Sequence, residues 1–400
     1  MKILFLSISN INKIEEKGIY TDLIRQFRDE GHEVYVVNPI EKRFNTPTQF
    51  VIESGVKLLR VKIGNITQNN LFEKGLSTLM IERQFLNAIK RYLNDVKFDL
   101  VINTTPPITF EKVIRFIKKR DYAKSYLLLK DIFPQNAVDL NMFRKNGIIY
   151  NYFRMKEKRL YQISNFIGCM SQANIDYIKK NNPQIPSKKI ELCPNSIEIL
   201  SVNINDESVK QIRAKHHIPC DKSIFIYGGN LGKPQGIDFL IECLKANKEN
   251  EQVFFVIAGA GTEFNKLKQY FINERPINAR LLKELPKDEY DLLANSCDVG
   301  LIFLDHRFTI PNFPSRLLSY MQASMPVLAA TDANTDIGDV MEQGGFGLWC
   351  ESNNIEQFNK KLQQLYDPKV REVMGEKSRL YLEQNFTVKH SYEIIMNHFK

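Results

Sequence analysis

Short apolar runs alternate with amphipathic stretches along the whole chain. KILFLSI opens the sequence, a helical pattern follows around Tyr20 to Glu30, and EVYVVNP comes after a stop at Gly31. FDLVINT, SYLLLKD and FIGCMS continue the series, divided by helical patterns. The second half repeats the rhythm with SIFIYGG, VFFVIAG, ARLLKEL, VGLIFL, PVLAATD and FGLWCE. Strand and helix in strict alternation predict parallel sheets covered by helices on both faces, an α/β fold of two doubly wound, Rossmann-like domains. Four hundred residues exceed the roughly 250 to 300 at which a single core stops growing, so two domains are expected. Helical periodicity fades in PNSIEILSVNIND, which sets the boundary near Asn195 to Asn205 and the domains at 1–200 and 201–380. The closing segment, about 381–400, is helical in pattern and either continues the second domain or packs back onto the first.

Composition adds three constraints. The longest apolar runs, such as VFFVIAGA, fall far short of the ~20 residues of a membrane span, and MKILFLSISN enters a strand directly, so neither anchor nor signal peptide is expected. Six cysteines lie far apart with no C-x-x-C pair, which suits reduced thiols in a cytoplasmic protein. The six histidines have no metal-ligand spacing. The net charge of +9 is uneven: residues 1–200 hold 32 Lys and Arg against 20 Asp and Glu, and residues 201–400 hold 23 against 26. A basic first half suits an anionic partner: nucleic acid, an acidic membrane leaflet or a lipid phosphate.

The candidate chemistry centres on YGGNLGKPQG at 227–236, where a glycine-rich turn joins an apolar strand to an amphipathic helix. Without Cβ atoms the backbone N–H groups there approach an anion closely, and the helix starting near Gly236 adds its positive end. Lys233 adds a full charge. The spacing is neither a dinucleotide fingerprint nor a P-loop. AGAGTE with Gly259 and Gly261, KELPKDEYDLL with Leu285 before a helix start at Pro286, and FTIPNFPSRLLSYM also stand at strand ends, where ligands gather in open α/β sheets. Pro314 and Ser315 fit a helix start, and Arg316 in its first turn suits a fork onto two phosphate oxygens. The plain alternative is that each glycine only makes a turn. Asp131, at the end of SYLLLK, is the candidate acid or base; Asp305, His306 and Arg307 end VGLIFL, with His306 a donor contact or proton shuttle. The loop SNINKIEEKGIYTDL offers Glu15, Lys17 and Gly18 as acceptor-side contacts to acceptor or phosphate, against the reading of a solvated loop. Two stretches, IRFIKKRDY and MFRKNGIIYNYFRMKEKRLY, mix basic and aromatic residues as an interfacial surface on anionic lipid does, or as a solvated helix packing its apolar stripe does.

GHEVYVV, LLLKDIFPQNAVDL, CMSQANIDYI, ELCPNSIE, YGGNLGKPQGIDFLIECL, SCDVGLIFLDHRFTIPNFPSRLLSYM and MPVLAATD together resemble the GT-B glycosyltransferases of family 4 over nearly the whole chain. Within it the resemblance runs to transferases of deoxy-amino sugars such as N-acetyl-L-fucosamine in bacterial capsule and O-antigen synthesis. It implies two domains facing a central cleft and a retaining hexosyl-type transferase that moves the sugar of a UDP-sugar donor. The donor is expected on the C-terminal domain, at Gly229, Gly232, Gly236, Gly259, Gly261, Leu285, Asn312, Pro314 and Ser315. A polyprenyl-diphosphate-linked saccharide is expected as acceptor on the N-terminal domain, with the enzyme peripheral on the cytoplasmic face of the cell membrane. Many family members have Arg and Lys in the glycine turn where this chain has Asn230 and Gln235. Compensation for diphosphate charge therefore falls to Lys233 and Arg316, with Arg307 in reserve. Two family glutamates fall on Pro311 and Ser319, which leaves Ser319 to hydrogen-bond ribose. No paired-aspartate metal motif ends a strand, so no cofactor and metal-independent transfer are expected. A nucleotide-sugar epimerase or hydrolase of the same architecture is the alternative enzyme. A basic nucleic-acid-binding protein is the alternative of another class; lacking a recognisable module, the chain is expected to bind no nucleic acid.

Overall fold

A computed structural model describes residues 1–66, 71–201 and 205–399. The chain divides into two compact units, one of Met1–Glu198 with Val388–Lys400 and the other of Ile199–Thr387. Each is built on one twisted sheet.

The first unit contains β1 (Lys2–Leu6), β2 (Glu33–Glu41), β3 (Gln49–Glu53), β4 (Val56–Ile63), β5 (Leu100–Thr104), β6 (Lys124–Leu129), β7 (Phe166–Cys169) and β8 (Ile190–Leu192), in the order β3-β4-β2-β1-β5-β6-β7-β8. All pairs are parallel except the β3–β4 hairpin. That hairpin was absent from the sequence reading, although Ser54-Gly55 between alternating apolar residues is its signal; both residues adopt positive φ there. KILFL and LVINT are near-continuous apolar runs because β1 and β5 lie inside the sheet with both faces covered. The chain leaves β1 toward β2 and returns on its other side as β5, so the winding reverses between them, which opens a crevice at the carboxyl ends of these strands.

The end of the chain splits between the units. Helix Pro368–Asn385 belongs to the second unit, and helix Val388–Met396 belongs to the first. Val388 and Ile395 join the cluster of Ile3, Phe5, Ile24 and Phe27, and the Tyr392 ring meets Phe27 at 5.0 Å. His398 adds bonds of 2.8 and 2.9 Å to the Glu191 carboxylate.

The second unit is all parallel: β9 (Ser223–Asn230), β10 (Val253–Ala260), β11 (Ala279–Leu282), β12 (Val299–Phe303), β13 (Val327–Thr331) and β14 (Gly347–Glu351), in the order β11-β10-β9-β12-β13-β14. Its winding reverses between β9 and β12. The glycine turn therefore stands at the topological switch point of its sheet.

Candidate functional site

The turn after β9 is shaped by close approach. A Cβ on Gly228 would sit 1.8 Å from the Tyr290 hydroxyl, and one on Gly259 would sit 1.9 Å from the Gly229 carbonyl oxygen. Gly261 lies equally tight on the Leu231 backbone. Packing alone thus demands glycine at 228, 259 and 261, as the plain reading holds. Gly229 differs: its φ is +118° and the space beside it holds only the Arg316 guanidinium, 3.9 Å from a notional Cβ. Gly236 takes φ +55° between the short helix Lys233–Gln235 and helix Ile237–Ala246.

Arg316 opens helix Arg316–Gln322, which begins after Pro314 and Ser315; the Ser315 side chain makes no capping bond. Its Nη1 donates to the Gly228 carbonyl at 3.1 Å, and its guanidinium carbon lies 4.3 Å from the centre of the Tyr227 ring. Tyr320, one helical turn on, accepts from Gly228 N–H at 3.3 Å and donates to the Ile226 and Leu301 carbonyls. The Tyr227 hydroxyl donates to the Asn230 carbonyl at 2.7 Å. Burial pushes the phenols of Tyr227, Tyr290 and Tyr320 up, against the nearby Arg316 charge, so they stay neutral. Arg316 has no carboxylate partner among the described residues. A guanidinium held over an aromatic face with forks to spare suits an incoming oxyanion. Sequence reasoning missed the three tyrosines; Tyr227 heads the glycine turn and Tyr320 stands at i+4 from Arg316, which was the available signal.

Asn230 and Gln235, the two neutral residues of the turn, bond to each other. Gln235 Oε1 accepts from Asn230 Nδ2 at 2.9 Å and from Gly232 N–H at 3.1 Å. Gly232 N–H is therefore already used. Lys233 is exposed, and its side chain forms no hydrogen bond or ion pair among the described residues. Arg307 is engaged: its Nε and Nη2 reach the Asp305 carboxylate at 2.8 and 2.7 Å. Burial raises the Asp305 carboxyl, but the Arg307 bonds outweigh it and hold it below the usual range. Asp305 N–H donates to the Pro234 carbonyl at 3.0 Å, which brings 305–307 beside the turn. His306 is exposed, 3.9 Å from the same carboxylate. The Asn312 carbonyl accepts from the Thr335 hydroxyl, and its own Nδ2 is buried without a partner. Leu285 is half-buried ahead of helix Lys287–Asn295, and Ser319 is exposed; among the described residues neither side chain bonds to the turn.

In the first unit, Asp131 follows β6. Its carboxylate accepts from Asn136 Nδ2 at 2.8 Å, and burial raises it to about 6 against that bond. The Thr105 hydroxyl accepts from the N–H groups of both Lys130 and Asp131, at 2.9 and 3.1 Å. Tyr20 stands close by, its phenol pushed up to about 12 by burial, with a hydrogen bond to Thr104. The loop before Tyr20 is anchored at its buried Ile11 and Ile14, and Arg25 Nη1 donates to the Ile14 and Glu16 carbonyls, while Glu15, Glu16 and Lys17 are exposed. Glu15 is paired with Arg28 at 2.8 Å, which holds its carboxyl low. Gly18 N–H donates to Asp22 at 2.9 Å. Of the three loop residues only Lys17 presents an uncommitted group.

Of the basic, aromatic stretches, much is internal. Lys118 bonds the Ile163 carbonyl, Arg120 the Leu93 and Val96 carbonyls. Arg154 pairs with Glu157, and Lys156 with Glu82 in the core. Phe143 and Phe153 pack on Phe133. Outside remain Arg115, Lys119 and Tyr122 of the first stretch and, in the second, a basic and apolar face that includes Arg144, Lys145, Ile148, Ile149, Lys158 and Arg159, with Ile148 90% exposed. No helix among the described residues is long and apolar enough to cross a membrane. No cluster of three His, Cys, Asp or Glu among them is placed to hold a metal ion.

The sequence profile of the family described as "Glycosyl transferases group 1" matches residues 208–381. The matched segment lies within the second unit, which is similar to that family. The fold is GT-B. The chain is 22% identical over 328 residues to "Probable glycosyltransferase WbjE" of Pseudomonas aeruginosa, covering 82% of this chain and 80% of that one. It is also 22% identical over 382 residues to WcaI of Escherichia coli, a protein named for colanic acid biosynthesis glycosyl transfer, covering 89% and 90%. The Anabaena protein Alr3699/HepE, solved with UDP and glucose, shares the fold with a TM-score of 0.72 and 15% identity over 100% of this chain and 99% of that one. The matched segment includes the turn, Arg316 and its tyrosines.

Proposed function

We propose that the protein transfers a sugar from a UDP-sugar to a lipid-linked saccharide in the synthesis of a bacterial surface polysaccharide. The observation that carries this reading is Arg316, stacked on Tyr227 and bonded to the Gly228 carbonyl with no carboxylate to neutralise it. Its charge meets the donor diphosphate at the end of β9, with Lys233 as the second cation. Attack by the acceptor hydroxyl forms the new C–O bond at the anomeric carbon while the bond to diphosphate breaks and UDP leaves with the electron pair. Cations aimed at that developing charge supply the electrostatic part of catalysis. Asp131 takes the hydroxyl proton, and His306 contacts the donor. The neutral Asn230–Gln235 pair supports a turn that holds phosphate by shape, with charge arriving from outside it. The relative named for colanic acid biosynthesis supports the pathway class, and the sugar we propose is an N-acetylated deoxy-amino sugar such as N-acetyl-L-fucosamine.

The acceptor side is read from the basic first half. Ile148 and Ile149, at the start of helix Ile148–Ile163, stand exposed among Arg144, Lys145, Lys158 and Arg159, a pattern that suits insertion at an anionic lipid surface. We place the enzyme peripherally on the cytoplasmic leaflet, where a polyprenyl-diphosphate acceptor is carried. The test is a panel of UDP-, GDP- and dTDP-sugars incubated with a polyprenyl-diphosphate saccharide. Sugar transfer from a UDP donor supports the reading; donor hydrolysis that gains no product on adding acceptor turns it toward the hydrolase alternative.

A further inference from the structure

Lys130 ends the β6 run one residue before Asp131, and its surroundings are unusual for a lysine. It is partly buried, and its ammonium makes one hydrogen bond, to the Cys193 carbonyl at 3.3 Å. Among the described residues no carboxylate lies within ion-pair distance of it. Burial pushes the amine down to about 8. An ammonium has three N–H donors, so two of them have no protein acceptor. A partly buried ammonium with donors to spare suits an anion or a ring of polar groups.

The neighbouring strand ends supply further hydroxyl groups. β1 runs into Ser7, β5 into Thr104, and the Thr104 and Ser7 hydroxyls lie 3.3 Å apart, both buried. Tyr20 reaches Thr104 from the helix Ile19–Asp29. The Thr105 hydroxyl ties Lys130 and Asp131 to the end of β5. These groups converge at the crevice beside the β1/β5 reversal, where a doubly wound sheet takes its ligand. They form a donor-rich, carboxylate-poor wall on one side of Asp131.

We infer that Lys130 is a binding and positioning residue for a phosphate oxygen of a substrate, held at the strand ends of the first unit so that the reacting hydroxyl lies near Asp131. The phosphate class rests on the transfer reading given above; the anion site itself does not. Two substrates bring phosphate, the acceptor through its polyprenyl diphosphate and the donor through UDP.

The experiment is amine labelling of the full-length protein at about pH 8, read residue by residue by peptide mass spectrometry, with farnesyl diphosphate, UDP or inorganic pyrophosphate as probes. Lys130 is expected to label about tenfold more slowly at a probe concentration about ten times its Kd, while the exposed Lys248 and Lys268 label unchanged. Protection by farnesyl diphosphate without protection by UDP assigns the site to the acceptor; the reverse assigns it to the donor. Protection by pyrophosphate in a protein that transfers no sugar keeps the site and removes the transfer reading. Unchanged labelling with all three probes overturns the inference and leaves Lys130 as a brace for the Cys193 carbonyl. Lys130→Arg should retain the thermal shift given by the protecting probe and Lys130→Met should lose it; equal shifts in both variants count against the site.

Discussion

Two side chains carry most of the chemistry at the scale of single residues. Arg316 is fixed by a ring and a carbonyl rather than by a counter-ion, so its removal should affect the diphosphate more than the fold. Arg316→Ala is expected to lower kcat by about 10² to 10³, the cost of losing one group aimed at developing charge. Steady-state kinetics with the UDP donor checks this, and the melting temperature of the variant checks the fold. Asp131 makes a second, independent claim. With its carboxyl raised to about 6 by burial, it is protonated below that pH and able to take a proton only above it. The kcat/KM profile should therefore rise with pH through about 6. Asp131→Asn should remove that limb and lower the plateau by about 10² to 10⁴, the range for a lost general base. A profile with the same acid limb in the variant would reassign the base.

At the scale of elements, the glycine turn behaves as a unit closed by its own side chains. Gln235 holds both Asn230 and Gly232, so Gln235→Ala should loosen the loop without touching the helix that follows. One or two such bonds are worth about 0.5 to 1.5 kcal/mol each. The donor KM should rise several-fold with kcat nearly unchanged, measured by initial rates across donor concentration. The turn itself was legible, because four glycines between an apolar strand and an amphipathic helix leave few other readings. Its environment was not. Nothing in the local pattern says that Tyr290, sixty-two positions after Gly228, closes against it, or that Arg307 is consumed by Asp305 two residues away. Pairing between distant strand ends is set by topology, which a linear pattern only bounds. The same limit explains Arg154 and Lys156: the sequence places them in a basic run, and only packing turns them inward onto Glu157 and Glu82. Lys130 went unread for a related reason, since its distinction is the lack of a carboxylate partner among the described residues.

At the scale of the molecule, the last helix belongs to the unit that holds the N-terminus. Truncation before Val388 removes Val388, Tyr392 and Ile395 from a cluster that contains Phe5 and Phe27. Each buried aliphatic side chain is worth about 1.5 to 3 kcal/mol, so thermal unfolding should shift down by many degrees. The outward face of helix Ile148–Ile163 predicts association with anionic vesicles that weakens as salt is added. Ile148→Asp with Ile149→Asp should abolish cosedimentation while transfer to a soluble short-chain acceptor survives. The central claim is that this chain holds a nucleotide diphosphate at the β9 turn through Arg316. Calorimetric titration of UDP into the protein and into Arg316→Ala tests it most directly. Saturable binding that is weakened at least about tenfold in the variant, a loss of about 1.4 kcal/mol, is the predicted result; binding of UDP equally well by both proteins, or by neither, would contradict it.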